Sequence, residues 1–137
     1  LEARHAEIDN LIADHRIAER AKTEVAAKFI DEDVLKERLG RIKAGWPRVQ
    51  LRLREHLYRR SEMERLLNLA GAPSSPEQIG VSADLLEQTI RSAAFIRSRY
   101  TILDFLLETG LFEPALASII ARYRRHTEEP LRVGAAS

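Results

Sequence analysis

Apolar residues recur at intervals of three and four along most of this chain, and that spacing constrains the chain to α-helices. Patterns typical of β-strands are almost absent. The one alternating stretch, RVQLRLRE, continues directly into helical spacing at Val49, Leu53 and Leu57, so it is also predicted to be helical. The sequence therefore predicts an all-α protein, a multi-helix orthogonal bundle.

The first half of the chain divides into a few helical regions. Residues from Leu1 to about Ile30 are predicted to form one helix or two, with a bend or break near His15, where the apolar stripe changes phase. The acidic residues 31–33 suit the N-terminus of the next helix. The residues expected at core positions of that helix are Val34, Leu35, Leu39 and Ile42. Pro47 either begins a further helix or kinks one long helix.

Capping residues, glycines and prolines predict the helix boundaries that follow. Ser61 and Glu64 fit a capping box, and Gly71 fits the end of that helix. A single turn is expected over Pro76–Ile79. The later boundaries are Ser82 as an N-cap, Thr101 and Asp104 as a capping pair, Gly110 as a helix end and Pro114 as a helix start. The residues predicted inside those helices are Leu85, Leu86, Thr89, Ala93, Ile96, Leu116, Ile119, Ile120 and Tyr123.

Length and composition limit the functions that the chain can have. The 137 residues suit a single helical domain or domain fragment, with a flexible tail expected over residues 128–137. The 22 basic and 21 acidic side chains give a net charge of +1, so we expect neither a nucleic-acid partner nor an anionic membrane partner. The chain has no cysteine, which excludes disulfides and thiolate chemistry, and we expect a cytoplasmic protein. No stretch approaches the roughly 18 apolar residues that a bilayer span needs.

The residue types that carry enzyme chemistry occur without the spacing that enzyme chemistry needs. The four histidines, His5, His15, His56 and His126, include no pair at the i, i+4 spacing of a helical metal site. No glycine-rich phosphate loop and no nucleophile elbow is present. We therefore expect no catalytic, cofactor-binding or metal-ligating residue in this chain.

Two basic regions leave alternatives open. Arg48, Arg52 and Arg59 share one helical face, which is either a phosphate surface or, as the nearby glutamates favour, a solvated face. Arg97 and Arg99 precede a helix N-terminus, where backbone amides favour anions. Capping and interhelix packing also explain the adjacent Tyr100 and Thr101, and this second interpretation is favoured.

A more specific pattern comes from three stretches in order. The segment EVAAKFIDEDVLKERLGRIKAGW is followed by LLNLAGAPSSPEQIGVSADLLEQTI and then by AAFIRSRYTILDFLLETGLF. In this order and spacing they resemble the C-terminal region of bacterial glycerol-1-phosphate dehydrogenases. The resemblance covers Glu24 to about Phe112.

The resemblance implies the distal part of a dehydroquinate synthase-like C-terminal helical domain. Members of the family join such a domain to an N-terminal domain that binds NAD(P), and the active site lies in the cleft between the two. One Asp and two His hold zinc or nickel in the family, and the enzymes interconvert dihydroxyacetone phosphate and sn-glycerol 1-phosphate for phospholipid metabolism.

The chain departs from the family at the metal site. The last metal-binding His of the family is followed by Gly, whereas His5 lies in RHAEID, so the ligand role is not carried over to His5. The chain lacks an initiator Met, and we expect it to be a piece of a longer enzyme that is inactive alone. The expected partner of this piece is the N-terminal NAD(P)-binding domain, which lies upstream together with the metal ligands. The residues expected to support or border the substrate cleft are Arg97, Arg99, Tyr100, Thr101 and Asp104.

Two alternatives stay open. An incomplete domain exposes apolar faces, through which a homodimer can form. A free-standing, non-catalytic helical interaction module derived from the same fold would also fit the missing catalytic half.

Overall fold

The computed structural model describes the backbone of residues 1–128 and the side chains of residues 1–125, and over that range the protein is all-α. Its elements are α1 (Glu2–Leu11), α2 (His15–Lys28), α3 (Glu32–His56), α4 (Arg60–Leu69), a 3₁₀ turn (Pro76–Ile79), α5 (Ala83–Ala93), α6 (Ile102–Glu108) and α7 (Phe112–Glu128). No helix in the described part is long and apolar enough to cross a bilayer. The predicted tail lies outside the described residues except for Glu128, the last residue of α7.

The chain folds as two compact units. The first unit contains residues 1–28 and the chain from residue 81 onward, and the second contains residues 29–80. The first unit is therefore discontinuous in sequence. The expectation of one helical domain or domain fragment over residues 1–137 stays a prediction.

The first unit is built around helix pairs α1–α2, α1–α5, α5–α7 and α6–α7, which pack against each other. Ile8 on α1 is fully buried, and the small residues Ala18 and Ala21 let α2 approach closely. The other buried apolar members of this core are Val25, Ala94, Phe95, Phe112, Leu116 and Ile120. Burying an Ile or Phe side chain contributes about 1.5–3 kcal/mol, so this cluster is the main source of stability in the unit.

Polar contacts fix the helices of the first unit relative to one another. Arg91 on α5 makes a bidentate ion pair with Glu113 on α7, at 2.6 and 2.9 Å, and its guanidinium lies 6.0 Å from the ring centre of Phe112. The hydroxyl of the buried Tyr123 on α7 donates a hydrogen bond to the carbonyl of Val81. These contacts join α7 to both ends of α5.

The second unit is dominated by α3, which has 25 residues and runs unbroken through Pro47. Asp31 caps it, because its carboxylate accepts a hydrogen bond from the backbone N–H of Val34 at 2.9 Å. After α4, the hydroxyl of Ser74 donates to the side-chain oxygen of Asn68 at 2.8 Å, and the 3₁₀ turn follows. No described residue from 29 to 80 is buried, so this unit has no apolar core of its own.

Most of the predicted boundaries are confirmed. The chain breaks between α1 and α2 at residues 12–14, as the phase change near His15 predicted. Ser82 caps α5 by accepting from the N–H of Leu85, and Thr101 caps α6 in a capping box with Asp104. Glycines at positive φ follow α4, the 3₁₀ turn and α6, where only glycine adopts the left-handed conformation without strain. The 3₁₀ turn spans the predicted residues.

Two predicted helix starts are wrong. Helix α4 begins at Arg60, with Arg59 at the N-cap and no side-chain cap, so Ser61 lies inside the helix. The Arg60–Glu64 ion pair, at 2.6 Å, occupies the carboxylate that the capping box needed. Helix α7 begins at Phe112 rather than at Pro114, because the buried Phe112 side chain anchors the first turn.

Several apolar residues that were predicted to lie inside the later helices are exposed. Leu85 and Ile119 are exposed on α5 and α7, and Ile96 lies beyond the end of α5 and is also exposed, whereas Ala94 and Phe95 just after α5 are buried. The face of α5 that packs against the core, which includes Leu86 and Ile90, is shifted by about one residue along the sequence from the apolar face that the spacing predicted. The expected core residues of α3 are at most half-buried.

Candidate functional site

The stretch IRSRYTILD lies between the end of α5 and the first turn of α6, and we call residues 94–104 the 94–104 junction. Its first two residues, Ala94 and Phe95, are buried in the core of the first unit, and its last, Asp104, is only 6% exposed. Between these anchors the backbone leaves the helical conformation, and residues 96–100 are exposed. The junction is therefore fixed at both ends and open to solvent in the middle.

Thr101 and Asp104 form the start of α6. The carboxylate of Asp104 accepts hydrogen bonds from the Thr101 backbone N–H at 2.7 Å and from the Thr101 hydroxyl at 2.9 Å. The Thr101 hydroxyl oxygen in turn accepts from the N–H of Leu103 at 3.2 Å. Reciprocal bonding of this kind satisfies donors that a helix N-terminus otherwise leaves unpaired.

Lys28 provides the charge that allows Asp104 to be buried. Its ammonium lies 2.5 Å from the other oxygen of Asp104, and it also donates to the carbonyl of Ala94 at 2.9 Å. Lys28 is the last residue of α2, where a cation interacts favourably with the helix dipole. One side chain thus joins the end of α2 to both ends of the junction.

Glu24 makes a second contact from α2, one helical turn before Lys28. Its carboxylate accepts a hydrogen bond from the backbone N–H of Ser98 at 2.9 Å and pairs with Arg20 at 2.5 Å. Hydrogen bonding from Ser98 lowers the pKa of Glu24, against the opposing effect of partial desolvation, and the charge of Arg20 lowers it further. A hydrogen bond from α2 therefore also reaches the exposed middle of the junction.

The remaining predicted site residues lie at the surface of the junction. Arg97 and Arg99 are exposed, outside the buried network of Lys28, Thr101 and Asp104. Tyr100 is 47% exposed, and its hydroxyl donates to Glu108 at 2.7 Å, near the far end of α6. The structure thus brings Thr101 and Asp104 together in one polar network and leaves the two arginines outside it.

Sequence reasoning missed Lys28 and Glu24. The available signal was their i, i+4 spacing on α2, which places both on the face next to Val25, a buried residue. The spacing alone did not indicate which distant segment they contact. Their partners lie 66 to 76 residues further along the chain.

The described residues do not fit a metal centre. No group of three or more His, Asp or Glu residues in the part of the chain that the structure describes could hold a metal ion. His5 is half-buried, and its Nε2 atom is buried with no described hydrogen-bond partner. The side chain of His126 lies outside the described residues. We therefore derive no chemical step through a metal held by this chain.

Comparisons of this chain with protein-family models, with curated proteins and with solved structures found no match. The resemblance to the glycerol-1-phosphate dehydrogenases consequently stays an expectation from the order and spacing of the three sequence stretches.

Proposed function

We propose that this chain is the distal helical part of an NAD(P)-dependent, metal-containing oxidoreductase similar to sn-glycerol-1-phosphate dehydrogenase. In this proposal the intact enzyme works in the cytoplasm and reduces dihydroxyacetone phosphate to glycerol 1-phosphate. The nicotinamide site and the metal ligands belong to other parts of that enzyme, and this chain has no activity alone.

One observation carries the proposal. The most family-like stretch, IRSRYTILD, coincides with the 94–104 junction, whose conformation is held by Lys28, Glu24 and the capping pair. An exposed segment between buried anchors is a suitable support for a cleft, because its side chains reach solvent while its backbone stays fixed. In the proposed enzyme the junction is a positioning element, and the exposed Arg97 and Arg99 border the substrate phosphate.

The first test is turnover by the intact parent. The parent is recovered from its reading frame, loaded with zinc or nickel, and assayed for NADH oxidation in the presence of dihydroxyacetone phosphate. The proposal expects turnover by the parent and none by residues 1–137. It is abandoned if the reading frame lacks a dinucleotide-binding half and an Asp/His/His set, or if the folded, metal-loaded parent does not turn over.

The role of the two arginines is tested separately in the parent. Replacing Arg97 and Arg99 by Gln is expected to raise KM for dihydroxyacetone phosphate by roughly tenfold or more, because the phosphate loses charged partners. The matched control is Arg125→Gln, which removes an exposed charge from α7. An equal KM for the two variants contradicts the assignment of the arginines to the phosphate.

A second candidate function is the free-standing helical interaction module. It is favoured by the second unit, where large apolar side chains such as Leu53 and Leu57 are exposed. The reading frame upstream of Leu1 distinguishes the two candidate functions. A natural start codon close to Leu1 supports the module, and a continuous upstream dinucleotide-binding half supports the enzyme.

A further inference from the structure

Helix α3 carries an apolar seam with the spacing of a coiled coil. Along the helix the seam positions alternate by four and three residues, which is the a and d pattern of a heptad repeat. The seam residues are Leu35, Leu39, Ile42, Trp46, Val49 and Leu53. At 3.6 residues per turn they lie within about 80° of the helix circumference and extend for about 27 Å.

The seam reaches the surface of the protein. Val49 and Leu53 are 40% and 43% exposed, and the other four seam residues are half-buried. Leu57, the C-cap residue, continues the apolar surface and is 64% exposed. A continuous apolar seam on a helix of this length is the feature that partner helices recognise.

The positions that flank the seam carry one sign of charge. With Leu39, Trp46 and Leu53 at a, the e and g positions within the helix hold basic or neutral residues and no acidic one. These flanking residues are Lys36, Arg38, Lys43, Gly45, Gln50 and Arg52. Lys36 is engaged by Glu32 on the same helix at 2.8 Å.

This charge pattern disfavours pairing with a second copy. In a parallel pair each g residue faces an e residue of the partner, and in an antiparallel pair e faces e and g faces g. Every such arrangement of two α3 helices brings basic residues against basic or neutral ones. Like charges at these positions repel, so the residues that flank the seam disfavour pairing of α3 with the α3 helix of a second copy.

The narrow seam also distinguishes a helix from a membrane as the occupant. A helix that lies in a bilayer interface buries a broad apolar sector, whereas a strict a and d stripe matches the width of one facing helix. We propose that α3 binds an amphipathic helix of another protein, with an apolar seam and with Asp and Glu at its e and g positions. This inference does not depend on the proposed dehydrogenase function.

The test uses the full chain of residues 1–137 and two synthetic peptides of matched length. Both peptides have Leu at a and d, and they differ only in carrying Glu or Lys at e and g. Trp46 is the single tryptophan of the chain and lies in the seam, so its emission reports occupancy. The expected result is a saturable blue shift at a 1:1 ratio with the Glu peptide, and binding at least about tenfold weaker with the Lys peptide.

Charge-reversal variants locate the binding face. Lys43→Glu with Arg52→Glu is expected to reverse the preference between the two peptides, because both residues flank the seam. The matched control is Arg48→Glu with Arg54→Glu, which changes the same number of charges at exposed positions c and b. That control is expected to keep the preference for the Glu peptide. Far-ultraviolet circular dichroism verifies that each variant retains its helices.

Other outcomes overturn the proposal, and the unmodified chain is sufficient to observe each of them. A Trp46 shift with phosphatidylserine vesicles or duplex DNA, and none with the Glu peptide, identifies a membrane or a nucleic acid as the occupant. Seam burial that accompanies concentration-dependent dimers in sedimentation identifies a second copy. Equal affinity for the two peptides, or no binding to either, contradicts the proposal that α3 binds a helix with acidic residues at its e and g positions. Dehydrogenase turnover by the parent is unaffected by any of these outcomes.

Discussion

Replacing Lys28 by Met tests whether the ion pair with Asp104 holds the 94–104 junction in place. The side chains of Lys28 and Asp104 are only 15% and 8% exposed, and the ammonium is the charged partner of the carboxylate. Removing one member of a buried pair costs about 3–5 kcal/mol, because the other charge stays buried. The two hydrogen bonds from Thr101 to Asp104 remain in the variant, so we expect the loss of unfolding free energy to be near the lower end of this range, about 3 kcal/mol.

The measurement is urea unfolding followed by far-ultraviolet circular dichroism, with hydrogen exchange of the α6 amides as a local readout. A loss of about 3 kcal/mol corresponds to a decrease in Tm of roughly 10 °C for a chain of this size. The exchange of the α6 amides should accelerate, because the N-terminus of α6 loses its anchor to α2. Asp104→Asn and the double variant Lys28→Met with Asp104→Asn complete a double-mutant cycle. We expect it to give a coupling energy of about 2 kcal/mol between the two side chains.

The matched control is Lys36→Met, in which an exposed i, i+4 pair with Glu32 is lost. Exposed pairs contribute about 0.3–0.5 kcal/mol, so the control should be close to the unmodified chain. If Lys28→Met and Lys36→Met destabilise the chain equally, or if the α6 amides exchange no faster, the ion pair does not hold the junction.

Three further predictions address the core, an ion pair and the glycines. Ile8→Ala, at the fully buried centre of the first unit, should destabilise by about 2–5 kcal/mol in urea unfolding, whereas the half-exposed Ile17→Ala should cost much less. Hydrogen bonding from Arg91 lowers the pKa of Glu113, so the pair stabilises the protein above the ordinary glutamate pKa, and the contribution is lost as pH falls through the lowered value. The stability difference between the unmodified chain and Glu113→Gln should therefore shrink on acidification, and a constant difference would contradict this cause. Gly80→Ala, at φ 74°, should destabilise by about 1 kcal/mol, and Gly40→Ala inside α3, with no atom within 4 Å of the added methyl, should stabilise by up to about 1 kcal/mol.

The parts of the fold that depend on neighbouring residues could be predicted from the sequence. Ser82, the Thr101 and Asp104 pair and the 3₁₀ turn each depend on hydrogen bonds within three or four residues, and all are confirmed. The capping box at Ser61 was wrong for a reason that is also local. A neighbouring arginine competes for Glu64, and a motif pattern does not include that competition.

The parts that depend on distant residues could not be predicted. Lys28 contacts Asp104 across 76 positions, and nothing in the composition of α2 indicates that partner. The same limit applies to α3, where periodicity correctly predicted a helix with one apolar face. Periodicity also implied that this face belongs to a core, yet its residues are half-buried or exposed, and neither α3 nor α4 contains a buried residue.

The discontinuity of the first unit has a consequence for its synthesis on the ribosome. Helices α1 and α2 emerge before the second unit, but other members of the core that contains Ile8 and Val25, among them Phe95 and Leu116, are translated only after it. At about 5 to 20 residues per second, the first segment waits roughly 5 to 20 s for its partners. During that interval the nascent chain exposes the apolar faces of α1 and α2, and a chaperone that binds short apolar helices would have its longest opportunity there.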